Sequence, residues 1–199
     1  MTDAVILAFD TSAAHCAAAL LRGDRVLAQS REEMAKGQAE RLMPLLAETL
    51  AAAGLDWPNL SALAVGIGPG NFTGIRISVA AARGLALSLG IPAIGVTALD
   101  ALAEGGPRPM RAAIDAKRGN LYLQGYGCAP EAPVLVTEPP AADAPLIGLD
   151  AAPALPLAEA IARIAARRLA AGAPGPRPAP LYLREADAAP AAPAPQLIG

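Results

Sequence analysis

Apolar positions open this chain in short unbroken runs and then switch to a helical spacing. Val5–Phe9 is a continuous run of strand length, Ala17–Leu21 is a second, and Arg25–Ser30 is a third and more polar one. A Gly-Asp turn separates the last two. From about Gln38 to Ala53 the period is that of a helix, with Leu42, Leu45, Leu46, Thr49 and Leu50 on one side. Gly54 stands where a helix-ending glycine belongs. Pro44 falls inside that helix and is predicted to kink it or to mark its first turn. Ser61–Ile67 reads as a strand, Thr73–Leu89 as a helix, Ile91–Val96 as a strand and Ala98–Ala103 as a short helical piece.

The layout then restarts. Met110–Tyr126 repeats the plan of Ala4–Leu21: an apolar strand, an aspartate at its end, a short turn and a second strand, with Asp10 and Asp115 in matching places. After it come a proline-rich connection, one amphipathic helix at Leu157–Ala171 and a short strand LYLRE. The tail from 186 to 199 is low-complexity and reads as disordered. Sixteen of the 20 prolines lie beyond residue 104, so less regular structure is expected there. The predicted class is α/β, as two lobes of related plan: residues 1–104, a reduced second lobe at 105–185, and the tail.

Composition narrows the functions. The formal charge is −2 and the pI about 5.4, so the chain as a whole offers no electrostatic footprint for nucleic acid. Apolar runs break before the ~18 residues of a membrane span, and no membrane partner is expected. The acidic start MTDAVILAFD does not read as a signal peptide. Cys16 and Cys128 are the only cysteines and have no paired spacing, which fits a reducing cytoplasm and neither a disulfide framework nor a zinc site.

The candidate chemistry lies in turns. Gly66–Gly74 reads GIGPGNFTG, between a strand and a helix, where backbone N–H groups often hold phosphate. It carries neither the lysine of a P-loop nor the GxGxxG spacing of a dinucleotide site. The simpler reading is a structural turn built by Gly66, Gly68, Pro69 and Gly70, with Thr73 near the helix N-cap. Arg76 beside that helix start is placed to meet a carboxylate of a partner or of the other lobe. In the helix, Gly74, Ser78, Ala82 and Ala86 form a row of small residues at i, i+4 spacing. Such a row admits close approach by its own sheet or by a neighbouring helix. Asp10 with Thr11 and Ser12, and Asp115 with Lys117 and Arg118, are phosphate-type turns or carboxylates that bond their own turns. His15 is the only histidine and reads as a turn residue. Strand alternation points it away from Cys16, which removes a Cys-His pair.

The ordered set FDTS, GQAERLMPLL, GIGPGNFTGIRIS, GLALSLGIPAIGV, DAKRGNLY and PLYLR resembles the TsaB (YeaZ) family, over about residues 4–126 and again at 180–184. GPGNFTGIR is the most specific piece. The resemblance implies the two-lobed actin/Hsp70/sugar-kinase-like fold. It implies a non-catalytic subunit in bacterial tRNA threonylcarbamoyladenosine synthesis, paired with the catalytic paralogue TsaD and joined by the ATPase TsaE. Contact with tRNA is then indirect, and a homodimer is expected when the subunit is alone. TsaD holds a metal on two histidines just after the strand that resembles IPAIGV. Ala98 and Leu102 stand at those places here, so no metal, no catalytic residue and no cofactor are expected. Asp10, Thr11, Ser12, Asp115, Lys117 and Arg118 become vestigial phosphate or nucleotide loops. The family pairs through its first two helices, which implies an interface at Gln38, Arg41, Leu42, Leu45, Gly74, Ser78, Ala82 and Ala86. Gln38 departs from the histidine usual there. The alternative is an enzyme in its own right: a metal- or nucleotide-dependent transferase, or a glycoprotease-like peptidase.

Overall fold

A computed structural model describes residues 3–138 and 144–183. The tail expected at 186–199 lies outside the described residues. The first sheet holds β1 (Val5–Asp10), β2 (His15–Arg22), β3 (Arg25–Glu33), β4 (Ala62–Gly66) and β5 (Ala93–Val96), in the order β3-β2-β1-β4-β5. The β1-β2-β3 meander is antiparallel, whereas β4 and β5 run parallel to β1. Central β1 is buried along its whole length, and this is why it is an unbroken apolar run and not an alternating one.

Its two faces meet different layers. Val5, Leu7 and Phe9 join Leu63 and Val65 against α1 (Gln38–Ala52) and α2 (Phe72–Leu89). Ile6 and Ala8 join Ala62, Ala64, Ile94 and Val96 against α4 (Leu157–Ala170). Helix α4, expected in the second lobe, therefore packs on the first sheet: its apolar stripe Ala160, Ile161, Ile164 and Ala165 fills the face that α1 and α2 leave open. Helix α1 runs through Pro44 without interruption.

The second sheet has the order β8-β7-β6-β9, from β6 (Met110–Lys117), β7 (Asn120–Tyr126), β8 (Val134–Val136) and β9 (Leu146–Ile147). Three antiparallel strands with a parallel one beside β6 repeat the β3-β2-β1-β4 arrangement in smaller form. This is the two-lobed plan of the actin/Hsp70/sugar-kinase type, and the duplication extends beyond the hairpin read from sequence. The short α3 (Ala98–Ala103) lies against this sheet, with Leu99 and Ala103 among Met110, Tyr122 and Tyr126. The LYLRE strand is corrected. The described residues 181–183 form no strand, although the Leu181 N–H donates to the Ile67 carbonyl at 2.8 Å.

Two local features bear on function. Helix α2 has the length and overall composition of a membrane span, although Arg76 and Arg83 break its apolar run and its remaining apolar residues Ile77, Ala81, Leu85, Ala86 and Leu89 pack partly buried against the core. Its inward residues are Gly74, Ile75, Ser78, Val79 and Ala82. Cys16 is fully buried beneath α1, and burial pushes its thiol from the ordinary 9.0 up to about 11, with Glu32 adding to the effect. Cys128 is exposed.

A thiol reagent at mildly alkaline pH is expected to modify Cys128 at once and Cys16 only on unfolding. The folded thiol stays protonated where the unfolded one ionises, so Cys16 stabilises fully below about pH 9 and loses this effect as pH rises towards about 11. Urea titrations of wild type against Cys16→Ala should show wild type losing up to about 1.4 kcal/mol per pH unit relative to the variant across that window. Ala82→Trp should cost about 1–3 kcal/mol or more by overpacking a site with no exposed surface.

Candidate functional site

The turn leaving β1 and the loop leaving β4 are pressed against each other. Asp10, Thr11, Ser12 and His15 are all buried. Asp10 Oδ1 accepts the Ser12 N–H and the Ser12 hydroxyl, both at 2.9 Å, and lies 2.8 Å from His15 Nε2. A carboxylate only accepts, so the ring nitrogen is the donor. His15 is therefore not a turn residue: it begins β2 and closes the turn by reaching back to the aspartate. Asp10 Oδ2 is buried and has no hydrogen-bond partner among the described residues.

Three glycines of the loop make this contact possible. A Cβ on Gly66 would lie 1.8 Å from Asp10 Oδ2, one on Gly70 2.4 Å from the Ser12 carbonyl oxygen, and one on Gly74 1.8 Å from the Thr11 carbonyl oxygen. Hydrogen bonds seal the junction: Thr11 Oγ1 donates to the Gly74 carbonyl at 2.6 Å, and the Asn71 N–H to the Ser12 carbonyl at 2.6 Å. Gly68 has a positive φ of 91°, and its carbonyl accepts from the Ala98 N–H at 2.8 Å. Thr73 is not the cap of α2. That role falls to Asn71, whose side chain accepts the Gly74 N–H at 2.9 Å.

Beyond the turn lies a cleft of about 430 Å3 between the lobes, with Ser12, His15, Pro69 and Gly70 on one wall and Ala113, Ile114 and Asp115 on the other. Ala98 and Leu102 also reach it, so the wall beside α3 is apolar. Asp10 does not line the cleft. Asp115 Oδ1 accepts the Lys117 N–H, and Oδ2 pairs with Lys117 Nζ at 2.7 Å, which holds the carboxyl below its ordinary range. Lys117 and Arg118 carry positive φ values of 64° and 55° at the exposed hairpin tip. Both phosphate-type turns thus border one cleft, each with its aspartate engaged by its own turn. Among the described residues, no three His, Cys, Asp or Glu side chains converge as a metal-binding group.

The residues expected at a partner surface are mostly turned inward. Leu42, Leu45, Gly74, Ser78 and Ala82 are buried in the first lobe, and Ala86 packs at the edge of the same core. The small-residue row exists because α2 begins against the Thr11 backbone and continues over its own sheet. Arg41 is a clamp: it pairs with Glu32 of β3 and Glu48 of α1, both at 2.6 Å, and keeps both carboxyls below their ordinary range. Gln38 donates to the Met34 carbonyl at 3.1 Å. Arg76 meets aromatic rings and not a carboxylate: it lies 3.7 Å from the Phe72 ring centroid and donates to Tyr182 Oη at 2.8 Å.

What faces outward is a different set. Leu87 is 80% exposed, Phe72 45% and Met43 of the adjoining α1 42%, with Ala80 and Gly84 between the two ends of α2. Sequence reasoning missed this surface because it followed the small residues, and the opposite side of the helical wheel held the signal.

Residues 26–132 match the profile of the family described as TsaD, tRNA N6-adenosine threonylcarbamoyltransferase. The chain is 38% identical over 126 residues to the tRNA threonylcarbamoyladenosine biosynthesis protein TsaB of Escherichia coli K12, covering 61% of this chain and 54% of that protein. It is 34% identical over 205 residues to an uncharacterized protein of Mycobacterium tuberculosis, covering 94% and 95%. Among solved structures, an uncharacterized Pseudomonas aeruginosa protein with similarity to peptidase YEAZ superposes with a TM-score of 0.78 at 30% identity, over 91% of this chain and all of that one. The chain spans little more than half the length of the curated TsaB relatives it matches.

Gly74→Ala is expected to destabilise by about 3 kcal/mol or more, at the upper end of overpacking costs. Gly84→Ala, which meets nothing within 4 Å, should stabilise by about 0.5–1 kcal/mol through helix propensity. Urea denaturation of the two variants checks both signs.

Proposed function

This chain belongs to the TsaB/YeaZ family, and from that premise we propose that it serves tRNA threonylcarbamoyladenosine biosynthesis as a non-catalytic subunit. It seats the catalytic paralogue TsaD on the outer face of α1 and α2, with the ATPase TsaE joining the pair in the cytoplasm. Contact with tRNA is made through the partners, and a homodimer over the same face forms when TsaD is absent.

One observation carries this reading. Helix α2 is rich in apolar residues, and its own fold fully buries Gly74, Ile75, Ser78, Val79 and Ala82 and partly buries Ile77, Ala81, Leu85, Ala86 and Leu89. Burial within the fold explains Ile75, Val79 and Ala82. It does not explain Leu87, which is 80% exposed, or the outward parts of Phe72 and of Met43 on the neighbouring α1, which stand on the same side of the fold as Arg76 and Arg83. Exposed apolar area of this kind marks a protein contact. Ala80 and Gly84 between those side chains let a partner helix come close. The alternative of a metal- or nucleotide-dependent enzyme draws less support from the residues at the cleft. Ala98 and Leu102 offer no ligand atoms, and Asp10 stands behind the cleft wall.

The experiment is light scattering of the chain mixed with the TsaD of the same organism. Wild type is expected to form a heterodimer. Leu87→Asp should keep the fold and weaken pairing roughly 10-fold or more, since a charge would be buried unpaired. Normal pairing by Leu87→Asp moves the interface elsewhere. Formation of the modified nucleoside by this chain alone would restore the enzyme reading.

A further inference from the structure

Away from both the cleft and the outer face of α2, three arginines gather around a groove of about 250 Å3 where the lobes join. Arg108 comes from the segment between α3 and β6, and Arg167 and Arg168 from the last turn of α4. Asp100, Glu104 and Tyr126 complete the charged and aromatic lining.

The two carboxylates account for two of the three guanidinium groups. Glu104 takes Arg167 with both oxygens, at 2.6 and 2.7 Å. Asp100 accepts the Tyr126 hydroxyl at 2.9 Å and lies 3.4 Å from Arg168, which also donates to the Gly95 carbonyl at 2.7 Å. Arg108 has no carboxylate partner among the described residues. Among the described residues its hydrogen bonds leave through Nη1, whose two hydrogens are shared among the carbonyls of Ala103, Gly106 and Pro107, with Met110 Sδ close by. The Tyr126 ring lies 5.3 Å from its central carbon. Among the described residues the edge formed by Nε and Nη2 takes no hydrogen bond, and that edge is the side-on fork with which arginine grips an oxyanion through two bonds.

We infer that this groove binds a phosphate group, with the Arg108 side-on fork as the principal contact and Arg168 and Arg167 beside it. Anchoring Nη1 on three carbonyls fixes the plane of the guanidinium before any ligand arrives, so little ordering entropy is lost on binding. Three guanidinium groups against two carboxylates leave the groove positive. The 3.4 Å separation between Arg168 Nη2 and Asp100 is long for a charged pair, so Nη2 is free to meet a second ligand oxygen while Nη1 keeps the Gly95 carbonyl. A phosphate has oxygens for both arginines, whereas a single carboxylate is already satisfied by one fork. The inference does not depend on the function proposed above.

The test uses the full chain, inorganic phosphate and guanidinium-selective NMR at constant ionic strength. Millimolar phosphate is expected to shift the Arg108 Nε–H resonance saturably, with chloride giving no such response. Arg108→Gln should lower phosphate affinity roughly 10- to 100-fold, the loss of a charge-assisted bidentate contact. Arg108→Lys, which keeps the charge but not the fork, should lose most of it too, and Arg83→Gln on α2 should change nothing. An unsaturating Arg108 response in wild type overturns the inference whether or not the variants fold. Adding tRNA then identifies the source. Displacement of phosphate from Arg108 assigns the groove to an RNA backbone, and undisturbed phosphate binding assigns it to a small phosphorylated ligand.

Discussion

The contact between the Asp10–Ser12 turn and the Gly66–Gly74 loop is the constraint on which the first lobe depends. Each of its three close approaches is made to a glycine, and none leaves room for a methyl group. It fixes where β1 ends relative to β4. It also fixes where α2 begins, because Thr11 bonds the Gly74 carbonyl and Ser12 accepts from the capping residue Asn71. With its first turn held there, α2 lies close over the sheet, and Ser78 and Ala82 are small because the sheet is near. The glycine loop is thus read as a packing device. Its spacing matches the backbone it receives, and Asp10 turns Oδ1 to Ser12 and His15 while Oδ2 lies buried against Gly66.

Local pattern made most of the elements legible. The predicted bounds of β1, β2, α1, α2, α3 and α4 lie within about two residues of those found, as expected where periodicity is strong. The restart at Met110 was also visible, because β6, the aspartate near its end, the short turn and β7 repeat the layout of the first hairpin. Strands β8 and β9 were not, since three and two residues among prolines carry no period. Long-range placement was hidden as well. The stripe on α4 is plain in sequence, but nothing local says that it covers the first sheet and not the second. His15 illustrates the same limit: its partner five residues back is set by how the hairpin closes, not by spacing. The small-residue row was expected at a partner interface, with its own sheet as the alternative, and in this structure it faces its own sheet. Helical periodicity shows which residues share a face, and it leaves open what that face meets.

The route of the chain gives the partner surface and the cleft a common part. From the first lobe it passes through β6 to β9 and returns as α4, which covers the face of the sheet opposite α1 and α2. Tyr126, Asp100 and Arg168 tie the second sheet to that side of the first lobe. The α4 side therefore holds the lobes together, and among the described residues the outer face of α1 and α2, where we propose that a partner sits, is left uncovered. Between the two stands the loop after β4. Pro69 and Gly70 form part of the cleft wall, and the next residue, Asn71, caps α2. A molecule in the cleft and a protein seated on α2 would bear on adjacent residues of one tightly packed loop. That loop has no slack, because Asp10, Thr11 and Ser12 fill the space behind it. A displacement at α2 must then either leave the turn intact and move with it, or break the Thr11–Gly74 and Asn71–Ser12 hydrogen bonds together. The first course moves the cleft wall as one body with the helix, and it is the one that keeps every buried polar group of the junction in place.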